Sequence, residues 1–247
     1  MFLPLRFAAL RDFHATRILK LAMLSAVVLL FLVPRSSRAQ SASDSVSRPE
    51  TSELYFETYI ANDVFMFSSG EISSMIYYGG IEYDPHSLNH HANRFGRMFL
   101  WPATLVHARV RYVMEFLPLV LIRQPTLTDV WGDALGPARK TVPGIAVSPV
   151  GFRWMWRNGR AIRPLWVVKL GEAVFTQKAL GNNASYENFT INSVVGLQTR
   201  LSSRYDLRLT YGYQHVSNAY SNNSNPGLDT LGPSFGLVYH MKSVVKR

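Results

Sequence analysis

The chain contains no cysteine. That absence excludes disulfide bridges, thiolate metal centres and thiol nucleophiles. Charge is scarce too: 17% of residues are charged, against about 25% in an average soluble domain. After Val33 there is no apolar run of the ~20 residues a membrane-spanning helix takes, so a bundle of such helices is excluded. Basic stripes are also missing. Lys and Arg number 26 against 16 Asp and Glu, a formal net charge of +10, yet they are scattered singly through apolar stretches. Scatter of this kind argues against a nucleic-acid partner. Much of the excess sits in residues 1–39, and the modest remainder would suit anionic head groups as well as ordinary solubility.

What is present points to an exported β-protein. Aromatic residues reach 13% of the 247, which separates the chain from disordered sequences, and the length suits one domain. Arg6, Arg11, Arg17 and Lys20 precede an apolar stretch from Leu21 to Val33, and Ser37-Arg38-Ala39 follows. This is the pattern of a secretory signal cleaved after Ala39. We therefore expect a signal peptide at 1–39, a polar lead-in at 40–52 and a folded domain at 53–247.

From about residue 53 the hydrophobic period is two, which predicts β-strands with unlike faces. Val106, Ala108, Val110, Tyr112, Met114 and Phe116 fall on one face, His107, Arg109, Arg111 and Glu115 on the other. Leu207, Leu209, Tyr211 and Tyr213 alternate with Asp206, Arg208, Thr210 and Gln214. A face holding Arg, Asp and Gln is a poor dry core unless its charges pair. It suits the narrow lumen of a membrane barrel whose apolar face meets lipid. Strands are expected at 54–67, 72–83, 104–122, 143–156, 162–175, 188–201, 204–217 and 231–241. The fold class is thus all-β, an eight-stranded antiparallel up-and-down transmembrane β-barrel with every edge paired.

Connection lengths alternate. Asn158-Gly159 is a tight-turn signal and Ser202-Ser203 another, whereas 124–142, 176–187 and 218–230 are long. Trp154, Trp156, Trp166, Tyr205 and Tyr239 near strand ends suit an interfacial girdle. Two features run against this pattern: the long connection 84–103 on the short-turn side, and an end at Lys242–Arg247 that is basic rather than aromatic.

Chemistry concentrates near the seventh strand. His215 and Ser217 are two apart, so they share a face, and by parity it is the apolar row of Leu207 to Tyr213. An ester hydrolase needs a hydroxyl nucleophile, a base beside it and a group that orients the base. Ser217, His215 and Asp229 can fill those roles, and Asn218 can donate to the oxyanion. His86, His90 and His91 lack a carboxylate or cysteine partner in sequence and read as a polar connection rather than a metal site. No metal and no organic cofactor is called for.

The run His215-x-Ser217-Asn218-Ala219, followed by Asn225-Pro226-Gly227-Leu228, resembles the active-site hairpin of the lipid A 3-O-deacylases. The resemblance is strongest over 204–240 and extends more faintly to Glu115-Phe-Leu-Pro118 and Ser148-Pro-Val-Gly151. It implies an outer-membrane barrel that removes the ester-linked 3-hydroxyacyl chain at the 3-position of lipid A. It also implies His215 as base, Ser217 as nucleophile, Asn218 as oxyanion donor and Asn225 in the supporting loop. The partner it implies is lipid A or lipopolysaccharide in the outer leaflet, with a homodimer left open. The chain departs from the pattern at Asp229, where the family's best-known members carry Glu, and at Tyr220, where Gly is familiar. The alternative is a catalytically silent outer-membrane barrel with a structural or adhesive role. A soluble lipocalin-like barrel is a third reading.

Overall fold

A computed structural model of the chain describes residues 52–64, 74–85, 108–157, 160–222 and 224–241. The expected signal peptide and nearly all the lead-in lie outside the described residues, as do His86, His90, His91, His107, the Asn158-Gly159 turn and the basic end.

Eight strands follow in chain order: β1 (Glu53–Asp63), β2 (Met75–Asp84), β3 (Arg109–Pro125), β4 (Arg139–Met155), β5 (Ile162–Phe175), β6 (Glu187–Arg200), β7 (Tyr205–Ser217) and β8 (Leu228–His240). Each pairs antiparallel with the next, and β8 pairs with β1 to close the barrel. Closure leaves no unpaired edge, which a bilayer interior would not tolerate.

The strand bounds shift from expectation where proline or register decides them. β4 begins at Arg139 rather than 143, because Pro125 pairs with Arg139 and Gln124 with Lys140, carrying the β3–β4 hairpin past Pro143. Pro118 in β3 and Pro149 in β4 both sit where the register shifts, between Leu117 and Val120 and between Val147 and Val150. A bulge admits a residue that has no N–H to give the ladder. These shifts interrupt the simple alternation expected of β3, although Arg111 and Glu115 are both buried as that alternation requires. β8 begins at Leu228 rather than 231, and Asp229 therefore lies within the strand.

The outer wall is apolar. Phe56, Ile60, Phe116, Leu170, Leu209 and Phe235 are all exposed. Proteins surrounded by water rarely expose so many large apolar side chains on one wall. Trp154 and Trp166 stack with ring centroids 4.7 Å apart, and Tyr205 and Tyr239 lie 5.4 Å apart near the end that carries the short 201–204 turn. That pairing fits the expected girdle.

The lumen is filled in two layers. Toward the short-turn end it is ionic: Arg153 reaches Glu53 at 2.6 Å and Asp84 at 2.5 Å, Arg111 reaches Glu53 at 2.9 Å, and Arg208 reaches Glu82 at 2.7 Å. Lys169 bridges Glu57, at 2.9 Å, and Glu115. Toward the other end Tyr59 stacks on Tyr78 at 4.7 Å. Beyond them Ile76, Ile122, Val142, Phe175, Val216 and Leu228 form an apolar plug. Above this plug the connections 126–138, 176–186 and 218–227 brace one another. Asn182 N–H donates to Thr128 Oγ1 at 3.1 Å, Asn222 Nδ2 to the Ala184 carbonyl at 3.0 Å, and Ser224 Oγ to the Val130 carbonyl at 2.6 Å. The plug and the braced connections together roof the end where β7 finishes. All of the described strand edges are already paired, and nothing among the described residues supports the homodimer expectation.

Candidate active site

β7 and β8 meet in uninterrupted register: Tyr213 faces Leu231, His215 faces Asp229, and Val216 faces Leu228. Val216 and Leu228 belong to the apolar plug. The period of two therefore turns His215, Ser217 and Asp229 to the opposite side, the outer wall. On β6, Phe189 pairs with Ser217 and Ile191 with His215. Both are half exposed, at 53% and 43%, so the polar group borders an apolar strip that faces lipid.

Within this group His215 Nε2 lies 2.9 Å from Ser217 Oγ, and His215 Nδ1 lies 2.7 Å from Asp229 Oδ1. With the Nδ1–H tautomer, the ring donates to the carboxylate and leaves Nε2 to accept the serine proton. The Asp229 side chain is almost fully buried. A buried carboxylate is costly unless hydrogen bonds meet it, and a second donor does so here: the Tyr213 phenol donates to the same Oδ1. Tyr213 is a residue that the sequence pattern presents only as one more outward aromatic.

The turn after Ser217 is tightly specified. Asn218 N–H donates to Asn225 Oδ1 at 2.9 Å, Asn218 Nδ2 donates to the Ser224 carbonyl at 2.7 Å, and Tyr220 N–H donates to Asn218 Oδ1 at 3.0 Å. Ser221 N–H closes the turn on the Asn218 carbonyl at 2.9 Å. Ala219 and Tyr220 both take positive φ, 49° and 61°, a region where non-glycine residues are uncommon. This explains why glycine would be at ease at position 220. The tyrosine accepts the backbone cost and sends its ring outward, 81% exposed.

Of the residues singled out in sequence, His215, Ser217 and Asp229 thus form one hydrogen-bonded chain. Asn218 and Asn225 are brought together one step away. The Asn218 side chain is buried and tied to its own loop. Asn225 offers its carbonyl oxygen to the Asn218 N–H, while its Nδ2 and the Ala219 N–H meet no acceptor among the described residues. Among the described residues no cluster of three or more His, Cys, Asp or Glu could hold a metal ion. His240, at the far end of β8, points into the lumen and sits 2.7 Å from Asp206.

A family model described as lipid A 3-O-deacylase (PagL) matches residues 106–238. Among solved structures, the crystal structure of the outer membrane enzyme PagL is similar at 15% identity and a TM-score of 0.46, over 78% of this chain and 100% of that one. Neisserial surface protein A is similar at 10% identity and a TM-score of 0.34, over 77% of this chain and 96% of that one. No curated protein matches the chain.

Proposed function

The chain belongs to the lipid A 3-O-deacylase family, and from that premise we propose that this outer-membrane barrel cleaves its lipid by a serine esterase mechanism. The substrate is the ester-linked 3-hydroxyacyl chain at the 3-position of lipid A. The observation that carries the reading is the pair of hydrogen bonds one imidazole makes, accepting from Ser217 Oγ at 2.9 Å and donating to Asp229 Oδ1 at 2.7 Å, on the lipid side of the wall.

In this reading His215 Nε2 takes the Ser217 proton as Oγ attacks the ester carbonyl. Asp229 stabilises the imidazolium that forms and keeps it in the productive tautomer. The tetrahedral intermediate collapses, His215 gives the proton to the departing sugar 3-oxygen, and an acyl-enzyme remains. Water, deprotonated by the same imidazole, then releases the 3-hydroxy fatty acid and restores Ser217. The charge on the tetrahedral oxygen needs donors fixed in advance. Asn225 Nδ2 and the Ala219 N–H are the better candidates, since the Asn218 amide is engaged with the Ser224 carbonyl. We therefore assign Asn218 to holding the loop. Tyr220 N–H, spent on Asn218 Oδ1, is withdrawn from the oxyanion, and this loss is what favours a catalytically silent barrel as the second reading.

Mass spectrometry of lipid A from cells expressing the chain, beside cells expressing Ser217→Ala, tests the proposal. Loss of one hydroxyacyl chain with Ser217 alone is the expected result. An unchanged spectrum with a folded wild-type barrel favours the silent alternative, and an active Ser217→Ala overturns the mechanism. Export through a signal at residues 1–39, with a lead-in at 40–52, belongs to the same proposal. Sequencing of the mature N-terminus, expected at Gln40, checks it.

A further inference from the structure

We infer that Tyr213 is a positioning residue for catalysis, holding the Asp229 carboxylate ionised and aimed at His215. The inference rests on the triad reading above. Tyr213 stands two residues before His215, so both side chains leave β7 on the outer face. Its direct cross-strand neighbour is Leu231, which makes Asp229 its diagonal neighbour. A diagonal pair is about 7–8 Å apart at the backbone, a span a long aromatic side chain can cross. The phenol reaches Asp229 Oδ1, the same oxygen that meets His215 Nδ1.

The chemistry gives this contact a purpose. Here the acid lies on the lipid-facing side of a two-strand ladder, where the N–H groups are already committed to the sheet. A buried carboxylate in such a place depends on donors beyond the ladder, side-chain donors among them. Tyr213 supplies one of them. When His215 becomes an imidazolium in the transition state, the carboxylate facing it is therefore already charged and oriented. The phenol keeps its proton throughout, so no group is transferred to or from Tyr213.

Steady-state kinetics on lipid A in detergent micelles, with the mature protein extracted from outer membranes, tests the role. Tyr213→Phe deletes one oxygen and keeps the ring. It is expected to lower kcat about ten- to a hundredfold with KM nearly unchanged, the worth of one hydrogen bond to a charged group. In an Asp229→Asn background the same substitution is expected to change kcat by less than about twofold, because groups acting as one unit are not additive. Wild-type kcat in Tyr213→Phe overturns the inference, as does an undiminished effect in the Asp229→Asn background. If Tyr213→Phe yields no folded barrel, Tyr213→Leu is carried through the same cycle with the same expectations. Full activity in Ser217→Ala or Asp229→Asn defeats the triad reading itself. Loss of activity in those two beside a fully active Tyr213→Phe defeats only this inference.

Discussion

At position 229 a short carboxylate stands directly opposite His215 in the β7–β8 register. Facing residues of an antiparallel pair hold their Cβ atoms about 5 Å apart, a gap that aspartate closes without help from the loop. The missing methylene relative to glutamate is thus absorbed by starting β8 at Leu228. Restoring it should misplace the carboxylate: Asp229→Glu is expected to lower kcat by roughly tenfold, and Asp229→Asn by up to ~10⁴, as when a triad acid is neutralised. Kinetics of both variants on lipid A would check the order. The two asparagines should separate in a different way. Asn225→Ala is expected to lower kcat by about 10²–10³ with the barrel intact. Asn218→Ala should instead loosen the loop, read as faster proteolysis between Ser217 and Leu228. Spacing alone put the histidine and serine on one face, and their assignment as base and nucleophile rested on the resemblance of the 215–228 run to the deacylase hairpin. The division between Asn218 and Asn225 was not, because it depends on hydrogen bonds that cross the loop from 218 to 224 and 225. Tyr213 was hidden for a similar reason, since a diagonal contact leaves no mark on periodicity.

Among the elements, Gly212 and Gly232 face each other across β7 and β8 and allow these strands to lie close to their outer neighbours, β6 and β1. A Cβ on Gly212 would collide with the Ser193 carbonyl and come within 2.5 Å of Val194 Cα. One on Gly232 would meet Ala61 Cβ at 2.6 Å and the Ile60 carbonyl. These obstacles are backbone atoms and a Cβ, and cannot swing aside. The Gly212 carbonyl also accepts the Tyr59 phenol at 3.1 Å, locking β1 to β7 through the lumen beneath the site. Gly212→Val should therefore cost at least the ~1–3 kcal/mol of an overpacked core, seen as a lower urea midpoint for the folded, heat-modifiable species in detergent. All eight strands were legible in the alternation of apolar and polar residues, and β5 was bounded correctly at both ends. Most other bounds moved by one to five residues, with β1 ending at Asp63, β3 starting at Arg109 and β8 starting at Leu228. Pro143 masked the true start of β4, and Pro118 and Pro149 announced bulges whose register only the paired strand can reveal.

For the whole molecule, the division of the lumen explains why chemistry sits outside it. Carboxylates and cations cancel in the half near the short turns, and the apolar plug of Ile76, Ile122, Phe175 and Leu228 fills the half beneath the triad. In the proposed mechanism His215, Ser217 and Asp229, turned outward beside Phe189 and Ile191, meet the ester from the bilayer. Stability and catalysis are thereby placed in separate regions of one small barrel, and they should respond separately to mutation. Arg153 is fully buried and serves both Glu53 and Asp84. Removing one partner of a buried ion pair typically costs about 3–5 kcal/mol, because the remaining charges lose their compensation. Arg153→Met is accordingly expected to lower the unfolding free energy by about that much in urea titrations. The fraction that remains folded should retain the wild-type kcat, since the ionic layer and the triad are separated by the plug and the barrel wall. A kcat that falls in step with stability would instead couple the lumen to the site, and would contradict the separation argued here.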